Sequence, residues 1–185
     1  MPAPDPITTE RLLLRPLTPD DANAVATVAG AFEIADMTLS IPHPYALEDA
    51  SKFLAQVQDW YKSGQKFPMA VTLRADPATL VGCVGLDLHD PHHRAELGYW
   101  IAVPHWRNGY ASEAAAAMLA LGFEKLNLNK IVAHHFARNP YSGRVLEKIG
   151  MRREGFFRRH TRKWDGYEDI VAYGILREEF EAPGR

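Results

Sequence analysis

The sequence predicts an α/β protein built around one mixed sheet, and three observations carry that expectation. The chain has 185 residues and 20.8 kDa, the size of one domain. Its 46% hydrophobic and 24% charged residues suffice for a core and lie far from the composition of disorder. Along the chain, period-2 and period-3.6 apolar patterns alternate as strand, two helices, three strands, helix, strand, helix, two strands. No repeat and no internal low-complexity linker divides it, so residues 1–185 are expected to form a single domain.

Each element has a local reason. Residues 11–15, Arg-Leu-Leu-Leu-Arg, read as a strand ended by Pro16. Thr18-Pro19-Asp20-Asp21 then places a cap residue, a proline at the first helical position and acids in the first turn, opening a helix to about Gly30. Residues 31–45 carry prolines without periodicity and suggest a lid or substrate wall. Helical spacing resumes from Leu47 to Lys62 through Ala50, Phe53, Leu54, Val57, Trp60 and Tyr61. Phe67 to Arg74 and Leu80 to Leu88 are strand-like runs around an Asp76-Pro77 turn. A third strand, Ala95 to Val103, stops at Pro104. From Ala111 to Lys125 small and apolar residues follow one helical face, and the alanines let that helix approach the sheet closely. Lys130 to Ala137 is a strand, and Asn139-Pro140 opens a short helix that Gly150 ends. Met151 to Arg159 and Tyr167 to Leu176 flank a Trp164-Asp165-Gly166 turn, before a last helical turn at Arg177 to Phe180.

Composition excludes several classes. With 21 Lys+Arg against 23 Asp+Glu, the net charge of −2 supplies no global field for nucleic acid or an anionic membrane. The longest uncharged apolar run, Ala114 to Phe123, is ten residues, against ~20 for a membrane span. The start, Met1-Pro2-Ala3-Pro4-Asp5-Pro6, lacks the basic and apolar regions of a secretory signal, which makes the cytoplasm the expected compartment. A single cysteine, Cys83, excludes an intrachain disulfide and an all-cysteine metal cage. It reads as a small buried hydrophobe rather than a nucleophile. No metal is expected.

The most informative segment is Trp106-Arg107-Asn108-Gly109-Tyr110-Ala111-Ser112, between a strand and the alanine-rich helix. A helix N-terminus offers free N–H groups and partial positive charge, so a diphosphate can dock there without a dedicated lysine. Gly109 permits close approach. Read alone, the junction is ordinary turn chemistry. A second helix start, Asn139-Pro140-Tyr141-Ser142-Gly143-Arg144, follows the next strand. Asn139 there suits an N-cap and Ser142 a third helical position, whatever else they do.

Together these segments, with Thr9-Glu10-Arg11-Leu12-Leu13-Leu14-Arg15, Ala95-Glu96-Leu97-Gly98-Tyr99-Trp100-Ile101 and the closing Lys163-Trp164 to Glu179 pattern, resemble the GNAT acetyltransferase superfamily, specifically its RimJ/RimL-like N-acetyltransferase branch. The family's glycine turn runs Gln/Arg-x-x-Gly-x-Gly/Ala. Gly109 and Ala111 match it, while Trp106 replaces the first residue. The resemblance implies a single-domain mixed, mostly antiparallel sheet flanked by helices and splayed between its central strands. It implies acetyl-CoA as donor, its diphosphate on the N–H groups of Arg107, Asn108, Gly109, Tyr110, Ala111 and Ser112. Its pantetheine arm would pair with the backbone of Trp100, Ile101, Ala102 and Val103, and Asn139 would hold the pantetheine amide. Ser142 would protonate or hydrogen-bond the leaving thiolate, with Tyr141 as the competing acid.

A neutral amine must attack the thioester, so a base or water chain has to take an ammonium proton. Glu96 is the first candidate, because Glu96, Gly98 and Trp100 share one strand face and the carboxylate can look along the groove. A salt-bridged or solvated strand carboxylate is the equal alternative. His92, His93, His134 and His135 titrate in the right range but carry no distinguishing spacing, so surface and packing roles are expected for them. Arg152, Arg153, Arg158, Arg159, Arg162 and Lys163 form a local basic cluster, read as a solvated hairpin or a guide for an acidic acceptor. The expected activity is acetyl transfer to an α-amino group of a protein, peptide or amino acid. A small-molecule amine acetyltransferase (polyamine or antibiotic) and a non-catalytic acyl-CoA binding module are the alternatives. Expected partners are acetyl-CoA and the amine acceptor, with a homodimer left open and neither nucleic acid nor membrane.

Overall fold

A computed structural model describes residues 3–181, the side chain of Asp90 aside; Met1 and Pro2 of the proline-rich start lie outside the described residues. Among the described residues the strands are β1 (Ile7–Thr8), β2 (Leu12–Pro16), β3 (Lys66–Leu73), β4 (Asp76–His89), β5 (Arg94–Ile101), β6 (Lys130–Phe136), β7 (Arg152–Lys163) and β8 (Gly166–Leu176). They form one sheet in the order β1-β2-β3-β4-β5-β6-β8-β7. All neighbours run antiparallel except β5 and β6. That parallel pair joins only through Arg94–Lys130, Ala95–Ile131 and Glu96–Val132. Beyond Glu96 the strands part, which is the expected splay at the centre of the sheet.

The helices are α1 (Ala22–Ala29), α2 (Phe32–Met37), α3 (Leu47–Ser63), α4 (Tyr110–Ala120), α5 (Pro140–Lys148) and α6 (Arg177–Glu181). Both faces of the sheet are covered. On one face Leu12, Leu14, Val71, Leu97 and Ile131 pack with Ala114, Ala115 and Met118 of α4 and Leu146 of α5. The two α4 alanines have no exposed surface, so the helix backbone sits close over the strands. On the other face Ala70 and Cys83 pack with Val25 and Ala29 of α1 and Leu54 and Val57 of α3. Alternation divides β3 accordingly, with Met69 and Val71 toward α4 and Ala70 toward α3. Each large aliphatic side chain buried this way contributes about 1.5–3 kcal/mol.

Local chemistry sets the ends. Asp21 accepts from the Thr18 N–H and from both terminal nitrogens of Arg15, fixing the entry to α1. Gly64 closes α3 in the left-handed region at φ 69°. Several boundaries differ from the sequence reading, β7 running on to Lys163 rather than ending at Arg159 and the short β1 preceding the first expected strand. Residues 32–37 form α2, too short and too poorly capped to show periodicity. The β3–β4 turn falls at residues 74–75 rather than Asp76-Pro77. Residues 77–79 bulge instead, because Thr72 pairs Leu80 and Leu73 pairs Asp76. β5 ends at Ile101, and Val103–His105 makes a short 3-10 turn. The helix reading to Lys125 holds only as a change of pitch, α4 passing into a wider turn at Leu121–Lys125.

Candidate active site

The cavity. One cavity of about 1400 Å³ runs through the central split. Its lining joins Arg107, Gly109, Tyr110, Ala111 and Ser112 at one end to Glu96, Gly98 and Trp100 of β5 and to Asn139, Tyr141 and Ser142. It continues over the α1–α3 face, where Met37 to Pro42 and Tyr45 wall it, so residues 31–45 do form a wall. That wall is tied to the β7–β8 hairpin. Arg138 donates through its terminal nitrogens to Asp36 and through Nε to Glu168, and Phe32 stacks on Trp164 at 5.7 Å. Lys163 is no part of a solvated basic cluster, as the sequence reading had it. It is 6% exposed and donates from Nζ to the Thr38 carbonyl at 2.6 Å, while burial pushes its pKa down. The other arginines of that cluster lie on the outer strand β7, on exposed positions or the loop side.

The glycine turn. Gly109 is the N-cap of α4 at φ 79°, and Arg107 is also left-handed at φ 64°. Glu113 N–H makes the first helical bond back to Gly109. The N–H groups of Tyr110, Ala111 and Ser112 therefore precede the internal ladder, as an anion site requires. Two features brace the turn, and sequence reasoning missed both. Arg11 donates from Nε to Glu113 and from Nη1 to the Asn108 carbonyl, and lies 5.0 Å over the Tyr110 ring. Thr9 Oγ1 and the Arg11 N–H also reach Glu113. Burial alone would raise the Glu113 carboxyl, but these bonds hold it below the ordinary range. The signal was present in the Thr9 to Arg15 segment, without any spacing that pointed 100 residues ahead. Trp106, the residue that departs from the family pattern, donates its indole N–H to the Ile101 carbonyl at 2.5 Å.

The open strand edge. Ala102 N–H donates to Val81 and its carbonyl accepts from His105. Antiparallel alternation then turns Trp100 and Ala102 toward β4, leaving the backbone of Tyr99 and the N–H of Ile101 facing the split, the Ile101 carbonyl being taken by the Trp106 indole. Val103 closes the 3-10 turn by accepting from Trp106.

The far lip. Asn139 Oδ1 accepts from the Ser142 N–H at 3.3 Å, so the residue is the N-cap its type suggested. Ser142 Oγ lies 2.8 Å from the Tyr99 hydroxyl, a partner 43 residues away that no local pattern singles out. Burial pushes that phenol up to about 12, so it stays protonated, and its hydroxyl also donates to the Ser142 carbonyl at 3.1 Å. Tyr141, which also lines the cavity, is 63% exposed beneath the Arg144 guanidinium.

The Glu96–His134 pair. Glu96 lines the cavity with His134 Nδ1 3.1 Å from its Oε1. That hydrogen bond, against the opposing effect of burial, holds Glu96 below the usual carboxylate range. Glu96 is thus the ion-paired strand carboxylate that one of its two readings expected, with His134 as its partner. Cys83 is buried, its thiol pushed up to about 12 by desolvation, which suits an inert core residue. No cluster that could hold a metal ion occurs among the described residues.

Comparison with known proteins agrees with this geometry. Over 175 residues, 94% of the chain, it is 38% identical to the uncharacterized N-acetyltransferase YnaD of Bacillus subtilis and covers 98% of it. A GNAT-family acetyltransferase from Bacillus anthracis superposes with TM-score 0.83 at 31% identity, covering 94% of this chain and 99% of that one. RimJ of Mycobacterium smegmatis, solved with CoA-disulfide, shares the fold with TM-score 0.83 at 23% identity, over 92% and 84% of the two chains. Residues 11–152 match the acetyltransferase (GNAT) domain, and the chain belongs to that family of N-acetyltransferases.

Proposed function

We propose that this protein transfers acetyl from acetyl-CoA to an α-amino group of a protein, peptide or amino acid, by direct attack within a ternary complex. The single observation that carries the reading is the cavity that connects the α4 N-terminus, through the β5–β6 split, to the Glu96–His134 pair. GNAT acetyltransferases use acetyl-CoA, and the residues present suit it. The free N–H groups of Tyr110 to Ser112 would hold the diphosphate, and the Tyr99 backbone and the Ile101 N–H would pair with the pantetheine arm. One of those strand N–H groups would polarise the acetyl carbonyl and stabilise the oxyanion as the amine nitrogen adds. As the C–S bond breaks, Ser142 Oγ would hydrogen-bond the sulfur, itself held by Tyr99. We take residues 1–185 as one such domain, working in the cytoplasm; no helix among the described residues is long and apolar enough to cross a membrane.

The α-amine assignment follows from the RimJ/RimL-like resemblance and from proton energetics. At pH 7 freeing an α-amine of pKa ~7.7–8.0 costs about 1–1.4 kcal/mol, whereas an ε-amine of pKa ~10.4 costs roughly 4.6 kcal/mol. A half-exposed Glu96–His134 pair matches the smaller demand. The test is kcat/KM for an N-terminal peptide against its N-blocked, lysine-containing counterpart, with the acetylated product located by mass spectrometry. A preference for the lysine peptide overturns the acceptor assignment.

A further inference from the structure

We propose that His134 takes the proton from the attacking amine, and that Glu96 is the positioning residue that orients its imidazole. The inference deepens the acetyl-transfer reading and rests on it. Three structural facts point the same way. Glu96 is the last residue of β5 paired to β6, and its partner is Val132. His134 lies two residues further along β6, hence on the same face of the sheet, at the point where the strands part. Both side chains line the cavity there, with 43% and 36% of their side-chain surface exposed.

The bond between them fixes the division of labour. A carboxylate only accepts, so the 3.1 Å contact places the proton on His134 Nδ1 and leaves Nε2 as the lone-pair nitrogen. His135, the other histidine of β6, points to the opposite face. Its Nδ1 lies 2.8 Å from the Phe136 carbonyl and its ring packs on Tyr173, away from the acceptor side. The charged and titratable groups around the pair include Lys66 of β3, Asp87 and His89 of β4, and, across the cavity, Glu33 of α2, Asp49 and Lys52 of α3 and His160 of β7. Lys66 is ion-paired to Asp87, which neutralises the nearest charge. Glu96 Oε1 already accepts from the imidazole, whereas this bond leaves the lone pair of Nε2 free, so the ring nitrogen is the better placed of the two to take a proton. In the step, the acceptor's ammonium proton passes to Nε2, the lone pair so freed bonds the amine nitrogen to the acetyl carbon, the C–S bond breaks with its electron pair leaving on sulfur, and the nitrogen's second proton passes to that thiolate, giving the amide and CoA thiol. The imidazolium then releases its proton to water.

The experiment measures kcat/KM from pH 6 to 9 on the full chain with an α-amine peptide and acetyl-CoA, for wild type, His134→Gln, His134→Ala and Glu96→Gln. Calorimetric CoA affinity is the control for folding. His134→Gln should lose roughly 10²–10³-fold at low pH, shrinking as the acceptor deprotonates by itself, and lose the acid limb of the profile. Added imidazole should restore part of the His134→Ala activity. Glu96→Gln should lose about tenfold, with the acid limb displaced but present. A larger loss in Glu96→Gln, or His134 variants with an intact acid limb and no imidazole rescue, overturns the assignment. A wild type that binds acetyl-CoA yet acetylates no amine overturns the acetyl-transfer reading itself, and this inference with it.

Discussion

Gly109→Val tests the anion site where the structure makes the largest claim on one residue. Gly109 sits at φ 79°, a region that costs an L-residue about 1–2 kcal/mol, and β-branching adds to that cost. A Cβ there would also stand 3.3 Å from Arg11 Nη2, pressing on the guanidinium that holds the turn to Glu113 and Asn108. The turn is short and exposed, so the variant relieves strain by leaving the left-handed region rather than by unfolding. The N–H groups of Tyr110 to Ser112 then no longer converge. Recovering the geometry on binding costs the strain energy, which corresponds to a roughly 5- to 30-fold weaker CoA affinity. Titration calorimetry with CoA, beside a thermal melt, reads both quantities. A folded Gly109→Val protein with unchanged CoA affinity refutes the placement of the diphosphate on this turn.

Three further outcomes are expected. Ser142→Ala and Tyr99→Phe should each lower kcat about tenfold with little change in KM for acetyl-CoA, while Tyr141→Phe leaves both unchanged; the reverse pattern moves the thiolate partner to Tyr141. Arg138→Ala should release α2 from the β7–β8 hairpin and raise the acceptor KM about two- to fivefold, a modest effect because the ion pairs are partly solvated, with CoA affinity unchanged in calorimetry. Asp21 is buried, but Arg15 and Thr18 hold its carboxyl below the ordinary value against that burial. Its folded pKa is depressed, so its stabilisation is complete above the unfolded value of ~3.9 and fades as pH falls through the folded one. Arg15→Met should cost roughly 2 kcal/mol at pH 7 in denaturant unfolding, below the ~3–5 of a fully buried pair because Arg15 stays 27% exposed. It should also flatten the acid dependence.

What the sequence made legible was whatever short-range patterns decide. Leu12 to Arg15, the α3 stripe and the alanine face of α4 each bury the face their periodicity predicts. The glycine turn was legible because one residue's backbone freedom announces it. Two kinds of feature escaped. α2 has six residues, no side-chain cap and contacts that come from Trp164 and Arg138 far along the chain, so its stability is tertiary. The site partners Arg11–Glu113, Tyr99–Ser142 and Glu96–His134 are separated by 102, 43 and 38 residues. Only the order of strands brings them together. The site's backbone chemistry could be located from local sequence, whereas the side chains that tune it could not.

The narrow join between β5 and β6 has a mechanical consequence. Three residue pairs, at the closed end of a wedge, are the strand-to-strand connection between a leaf of five strands and a leaf of three. An extended ligand seated in the wedge would act as a temporary ninth strand, lacing the two lips where the chain's own hydrogen bonds stop. Binding would then stiffen the whole sheet across its middle. The slowing of amide exchange would spread along Leu97 to Ile101 and Ala133 to Phe136 on both sides, making the substrate a structural member of the fold for as long as it stays.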